Sequence, residues 1–149
     1  MVKNTKVGFR SRSMLQLQNE DKGLIFNEDF LRLLWEDQNK LLVAHWSGWL
    51  DSTKAKTGCL QIVKSVQELR AYKILNDNSK VTGHSGDTRW MNRVWFPALK
   101  EASVQYFGWV YSRDFFTQLE IDKTVDHTTG IAVRTFFSSN DARQWLGLF

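Results

Sequence analysis

Residues 131–146 read IAVRTFFSSNDARQWL. An apolar, β-favouring run of Ile131, Val133, Thr135, Phe136 and Phe137 stops at Ser138-Ser139. Ser138 and Asp141 then have the Ser-x-x-acid spacing of a helix start. Ala142, Trp145 and Leu146 fall on one face of the short helix that follows. The spacing predicts a strand that passes directly into a docked helix.

The same alternation recurs upstream. Phe30 to Trp35 predicts a strand with Leu31, Leu33 and Trp35 on one face. Glu36-Asp37-Gln38-Asn39 marks a turn, and Leu41 to Trp46 a second strand. So short a connection predicts an antiparallel hairpin over 30–46. Asp51 or Ser52 can cap a helix. Ala55, Cys59, Ile62, Val63, Val66 and Leu69 follow at helical spacing for about five turns. Tyr72 to Leu75 predicts a short strand ending at Asn76-Asp77, and the polar stretch Asn78 to Gly86 reads as a loop. Ser85 or Asp87 can cap the next helix, whose stripe includes Trp90, Met91, Val94, Trp95 and Leu99. Pro97 lacks an N–H, which predicts a break near Trp95 and a second short helix opened by the proline. Val104 to Tyr111 predicts a strand, Asp114 a cap for a helix carrying Phe115, Phe116 and Leu119, and Lys123 to Gly130 a polar connector. The order β-β-α-β-α-β-α-β-α predicts an α/β fold. Its sheet is mixed and mostly parallel, of about five strands, with helices packed on it.

A chain of 149 residues is long enough for one domain with a sizeable core. Ten Phe, seven Trp and three Tyr predict a dense aromatic core or an aromatic-lined pocket. The basic excess is local: Lys3, Lys6, Arg10 and Arg12 precede any acidic residue, and the rest of the chain carries 16 basic and 16 acidic residues. This divides the chain into a basic N-terminal extension, 1–22, expected to be flexible, and a domain over 23–149. A nucleic-acid binder carries its basic surface on the folded part, so no nucleic-acid partner is expected. No apolar run approaches the roughly 20 residues of a membrane span, and no apolar segment near the N-terminus reads as a secretory signal. The lone Cys59 cannot form an internal disulfide, which suits the reducing cytoplasm.

Catalytic patterns are missing from the sequence. His45, His84 and His127 lack ligand spacing and share the chain with one cysteine, so neither a metal nor a cofactor is expected. Gly83-x-x-Gly86 has neither the lysine nor the spacing of a nucleotide loop. Nothing supplies a nucleophile–base pair, so the chain reads as non-enzymatic. Trp46, Trp49, Trp90, Trp95 and Trp109 cluster at strand ends and on the Pro97 helix, where open α/β sheets take ligands. The first four, Trp46, Trp49, Trp90 and Trp95, form a candidate pocket for an apolar or lipid-like small molecule. The alternative for an exposed tryptophan patch is a partner surface, self-association into a homodimer included.

The hairpin 30–46, the strand–loop–helix at 72–95 and the tail VRTFFSSNDARQWL together resemble the STAS-like domains. That group takes in sulfate-transporter and anti-sigma-factor-antagonist modules. The likeness is closer to the stand-alone bacterial relatives grouped with CRAL-TRIO lipid-transfer domains. The tail is similar to a V-R-x-F…A…W-L ending in those relatives, and the resemblance covers roughly Leu24 to Leu146. It implies a right-handed βα superhelix and a regulatory, protein-interaction role in bacterial signalling, with a kinase or sigma-regulator partner. In the anti-sigma antagonists a serine in a D-S-x-G-like loop is phosphorylated. The matching place is His84-Ser85-Gly86, although Gly83 and His84 stand where the acidic residue would be. The resemblance therefore implies a phosphorylation and partner loop over 77–88, with Asp77, Ser79, Ser85 and Gly86 as its candidate residues.

Overall fold

The computed structural model describes residues 22–85, 87–127 and 130–149. The basic extension before Lys22 and the candidate Gly86 lie outside the described residues.

A hydrophobic sheet needs helices to cover it, and the order of elements supplies them. Strands β1 (Leu24–Glu28), β2 (Leu31–Glu36) and β3 (Leu41–Leu50) come first, followed by α1 (Ser52–Leu69). Next is β4 (Lys73–His84), then α2 (Thr88–Trp90), a π-helical turn (Met91–Trp95) and α3 (Phe96–Glu101). The chain continues through β5 (Tyr106–Val110), α4 (Phe115–His127), β6 (Ala132–Phe136) and α5 (Ser139–Leu146). The strands form a six-stranded sheet in the order β1-β2-β3-β4-β5-β6. β1, β2 and β3 pair antiparallel, and β3 through β6 pair in parallel. The sheet is thus mixed and mostly parallel, as its sequence pattern predicts, and its strands lie in sequential order.

The two faces carry separate cores. Helix α1, the π turn, α3 and α4 bury Cys59, Ile62, Val66, Trp95, Phe96, Leu99 and Ile121 on one face. Helix α5 buries Ala142 and Leu146 against Leu41, Val43, Leu75 and Val110 on the other. Caps set the helix starts. The Asp51 carboxylate accepts from Lys54 N at 2.8 Å, Asp114 from Thr117 N at 2.8 Å, and Ser138 Oγ from Asp141 N at 3.1 Å. Each satisfies a donor that the first helical turn leaves unpaired. The helix break near Trp95 takes the form of the π turn: Phe96 N–H donates to Met91 C=O, and Pro97 sits in the first turn of α3. Pro97 has no N–H to offer the preceding turn, and the widened turn lies where that bonding is disturbed.

Three expectations are corrected. The sheet has six strands rather than about five, because Leu24–Glu28 adds an edge strand too short to stand out by alternation. Helix α4 runs to His127, where Lys123 onward reads as a connector. The largest correction concerns β4, which continues to His84 instead of ending near Leu75. Residues 78–84 are therefore strand, not loop. Strand β4 stays paired with β3 to the end, Leu50 opposite His84, with two register shifts on the way.

Candidate functional site

The middle of β3 and the adjoining part of β4 carry a polar cluster unusual for a sheet interior. Asn76, Asp77 and Asn78 are all buried. Burial of a polar group is costly without partners, and each finds one. Trp46 Nε1 donates to Asn76 Oδ1 at 2.8 Å, and Asn76 Nδ2 to Asn78 Oδ1 at 3.4 Å. His45 Nδ1 lies 3.2 Å from Asp77 Oδ2. The register shift after His45/Asp77 takes Ser79 out of step with the ladder, and the Asp77 carboxylate accepts from Ser79 N at 2.9 Å. Burial pushes the Asp77 pKa upward. Hydrogen bonds from His45 and Ser79 outweigh it and hold the carboxyl below its usual range.

Beneath this cluster lies a cavity in two chambers. The inner one, about 30 Å³, is bounded by Trp46, Cys59, Asn76, Trp95 and Trp109. The outer one, about 40 Å³, is bounded by Val81, His84, Thr88, Thr117, Glu120 and Ile121. Leu50, Ala55, Asn78, Met91 and Trp109 line both. A single water needs about 10–15 Å³ of such space. Chambers of this size suit compact molecules of a few heavy atoms. Two donors are left over: the buried indole N–H groups of Trp95 and Trp109 have no hydrogen-bond partner. Thr88 Oγ1 donates to Glu120 Oε2 and joins α2 to α4 at the outer end. Burial lowers the His84 pKa, with the carboxylates of Glu120 and Asp114 opposing. Burial also pushes the Cys59 thiol well up, which keeps it an unreactive hydrophobe.

Above the cavity, at the rim, the Trp49 ring lies over Gly83. A Cβ at Gly83 would stand 2.4 Å from Trp49 Cζ3, so only glycine permits that contact. Trp49 remains 58% exposed. Ser85, also exposed, is next to it: Ser85 N donates to Leu50 O at 3.0 Å. Helix α2 follows, capped by Asp87, which accepts from Arg89 N at 2.9 Å.

The structure separates the candidate residues. Of the four tryptophans, Trp46 and Trp95 line the inner chamber. Trp49 is outside on the rim, and Trp90 is half-buried with the Lys56 ammonium 5.7 Å from its ring centroid. Of the loop candidates, Asp77 is inside the sheet, Ser79 sits at the bulge, and Ser85 alone reaches the approach to α2. Sequence reasoning missed Met91 and Trp109 as cavity residues. Its strand-end position groups Trp109 with the other tryptophans without placing it in the pocket, and an unpaired indole N–H leaves no trace in a one-dimensional pattern. Among the described residues no group of three or more His, Cys, Asp or Glu could hold a metal ion. No helix among them is long and apolar enough to cross a membrane.

No protein-family model matches the chain, and no curated protein does. Solved structures do. An uncharacterised protein of the DUF3478 family with a SpoIIAA-like fold, from Shewanella loihica PV-4, is similar at a TM-score of 0.53 and 16% identity. The match covers 83% of this chain and 99% of that one. The anti-sigma factor antagonist SpoIIAA in its unphosphorylated form is similar at a TM-score of 0.54 and 11% identity, over 78% of this chain and 96% of its own. At such identities the likeness is one of fold: the chain folds as a STAS-like, SpoIIAA-like domain.

Proposed function

We propose that this domain is a non-enzymatic regulatory module that docks a protein partner at the rim formed by the ends of β3 and β4, with Ser85 as its phosphorylation switch. The observation that carries the reading is the pairing of exposed Trp49 with exposed Ser85. A tryptophan left 58% exposed is the residue type that anchors protein interfaces. Phosphate on the adjacent hydroxyl brings between one and two negative charges, by the ordinary phosphoserine range, and turns an apolar anchor into an anionic rim. The partner class, a kinase or sigma-regulator protein, comes from the fold shared with an anti-sigma factor antagonist. A cytoplasmic setting suits the free, buried Cys59. The non-enzymatic part comes, like the partner class, from the fold shared with an anti-sigma factor antagonist.

The test is mass spectrometry of protein taken from its native cells. Phosphate is expected at Ser85 and is absent from Ser85→Ala protein. A site that stays unmodified under all growth conditions retires the switch. Trp49→Ala is expected to abolish capture of the partner that wild type retains, and equal capture retires the docking face.

A second reading, a small-ligand module, is supported by the unpaired Trp95 and Trp109 N–H groups. The size of the chambers favours a ligand more compact than a lipid.

A further inference from the structure

We infer that the two chambers form one binding site for a small, neutral ligand that carries an oxygen acceptor, such as a short ketone, lactone or amide. The inference rests on the small-ligand reading and names its ligand class.

Three independent features converge on the site. First, Trp95 and Trp109 both line the inner chamber, and each buries an indole N–H that has no partner. Indole nitrogen only donates, so what completes the site must accept. Buried donors left unpaired are disfavoured, and a carbonyl oxygen, with two lone pairs, relieves one or both. Second, the remaining lining of the inner chamber is Trp46, Leu50, Ala55, Cys59 and Met91, with Asn76 and Asn78. No cationic side chain lines the inner chamber, so a carboxylate or phosphate held there would be buried without its counter-charge. The site thus selects a neutral molecule with one apolar end. Third, the wall between the chambers includes Met91, the first residue of the π turn. A thioether on three rotatable bonds is the most adaptable of core side chains. π turns are rare and occur often at functional sites. Here the turn places both Met91 and Trp95 in the lining. Swinging the Met91 side chain aside joins the chambers, with the ligand oxygen toward the indoles and its carbon body toward Val81 and Ile121.

The Thr88–Glu120 hydrogen bond joins two residues of the outer chamber's lining. It tethers α2 to α4, and the ligand enters when that tether opens.

Two-dimensional ¹⁵N NMR of the indole N–H groups tests the proposal on the intact chain. Cyclopentanone is the probe and cyclopentene its counterpart without oxygen. Trp95→Phe and Trp109→Phe variants assign the resonances. Cyclopentanone is expected to shift the Trp95 and Trp109 indole signals saturably and to leave those of Trp35, Trp49 and Trp145 in place. Met91→Ala protein is expected to be more fully saturated at the same ketone concentration. If cyclopentene binds as well as cyclopentanone and the two indole signals stay put, the acceptor claim falls while the small-ligand reading survives. If neither probe binds and the two N–H groups show only long-lived water, both fall. The ketone and alkene titrations that decide the proposal are made on wild type, so a Met91→Ala protein that fails to fold leaves them intact.

Discussion

Gly58, inside α1, shows how a single residue can reverse a general rule. Glycine in a helix interior is ordinarily destabilising, and alanine there gains up to about 1 kcal/mol. At Gly58 a Cβ would stand 2.3 Å from Trp46 Cη2, 2.5 Å from Trp46 Cζ3 and 3.0 Å from Leu31 Cδ2. Trp46 and Leu31 are both fully packed core residues, so neither has room to retreat. The missing side chain lets α1 approach the sheet. Gly58→Ala is therefore expected to destabilise by about 1–3 kcal/mol, the usual cost of overpacking. Urea denaturation measures it, and a stabilised variant would contradict the packing described here. The sequence offers only a glycine at an interior helical position; the reason for it is 12 residues upstream on β3.

At the scale of one element, β4 is the informative case. Its residues 76–80, Asn-Asp-Asn-Ser-Lys, have the composition of a turn, yet they lie in a strand. Parallel pairing with β3 holds the backbone, and side-chain hydrogen bonds within the cluster satisfy the polar groups. Local propensity lost to tertiary pairing. Asp77 makes this testable by pH. Its folded pKa lies below the ordinary carboxylate value, so the unfolded chain binds the proton more readily. Its stabilisation is complete above the unfolded pKa of about 3.9 and is lost as pH falls through the folded value. Asp77→Asn is expected to cost about 1–3 kcal/mol near neutral pH, as weakening a buried charged acceptor does. The gap between variant and wild type closes in acid. Chemical denaturation at a series of pH values checks it, and a pH-independent gap would show that the carboxylate's charge is not what joins β3 to β4.

For the whole molecule, stability follows from the sheet order. With strands in sequence, β3 and β4 are central. They are paired over their length and covered by α1 on one face and in part by α5 on the other. β1 is an edge strand whose residues are half-buried or exposed. Amides deep in β3 and β4 are expected to exchange only through global unfolding, and those of β1 through local fraying. Native-state hydrogen exchange measures this, and protection of β1 equal to that of β4 would overturn the hierarchy. The helices of the three parallel crossovers all lie on the face that holds the cavity. α5 alone covers the other, anchored to β2 by the paired contacts of Arg143 with Glu36 at 3.0 and 2.7 Å.

By itself the sequence determined the elements with strong local signals. Capped helices with apolar stripes, the hairpin turn at 36–39 and the tail running from strand into helix are all written in residues within a turn or two of each other. The α/β class and the resemblance to STAS-like domains follow from that order. Tertiary structure alone decided that β4 is long, that Trp46 and Trp95 meet Met91 and Trp109 around a cavity, and that Trp49 stands outside beside Ser85. The physical reason is range. Capping and periodicity act over a few bonds, whereas cavities, unpaired donors and rims arise between residues distant in sequence, and no local pattern of residue types encodes that distance.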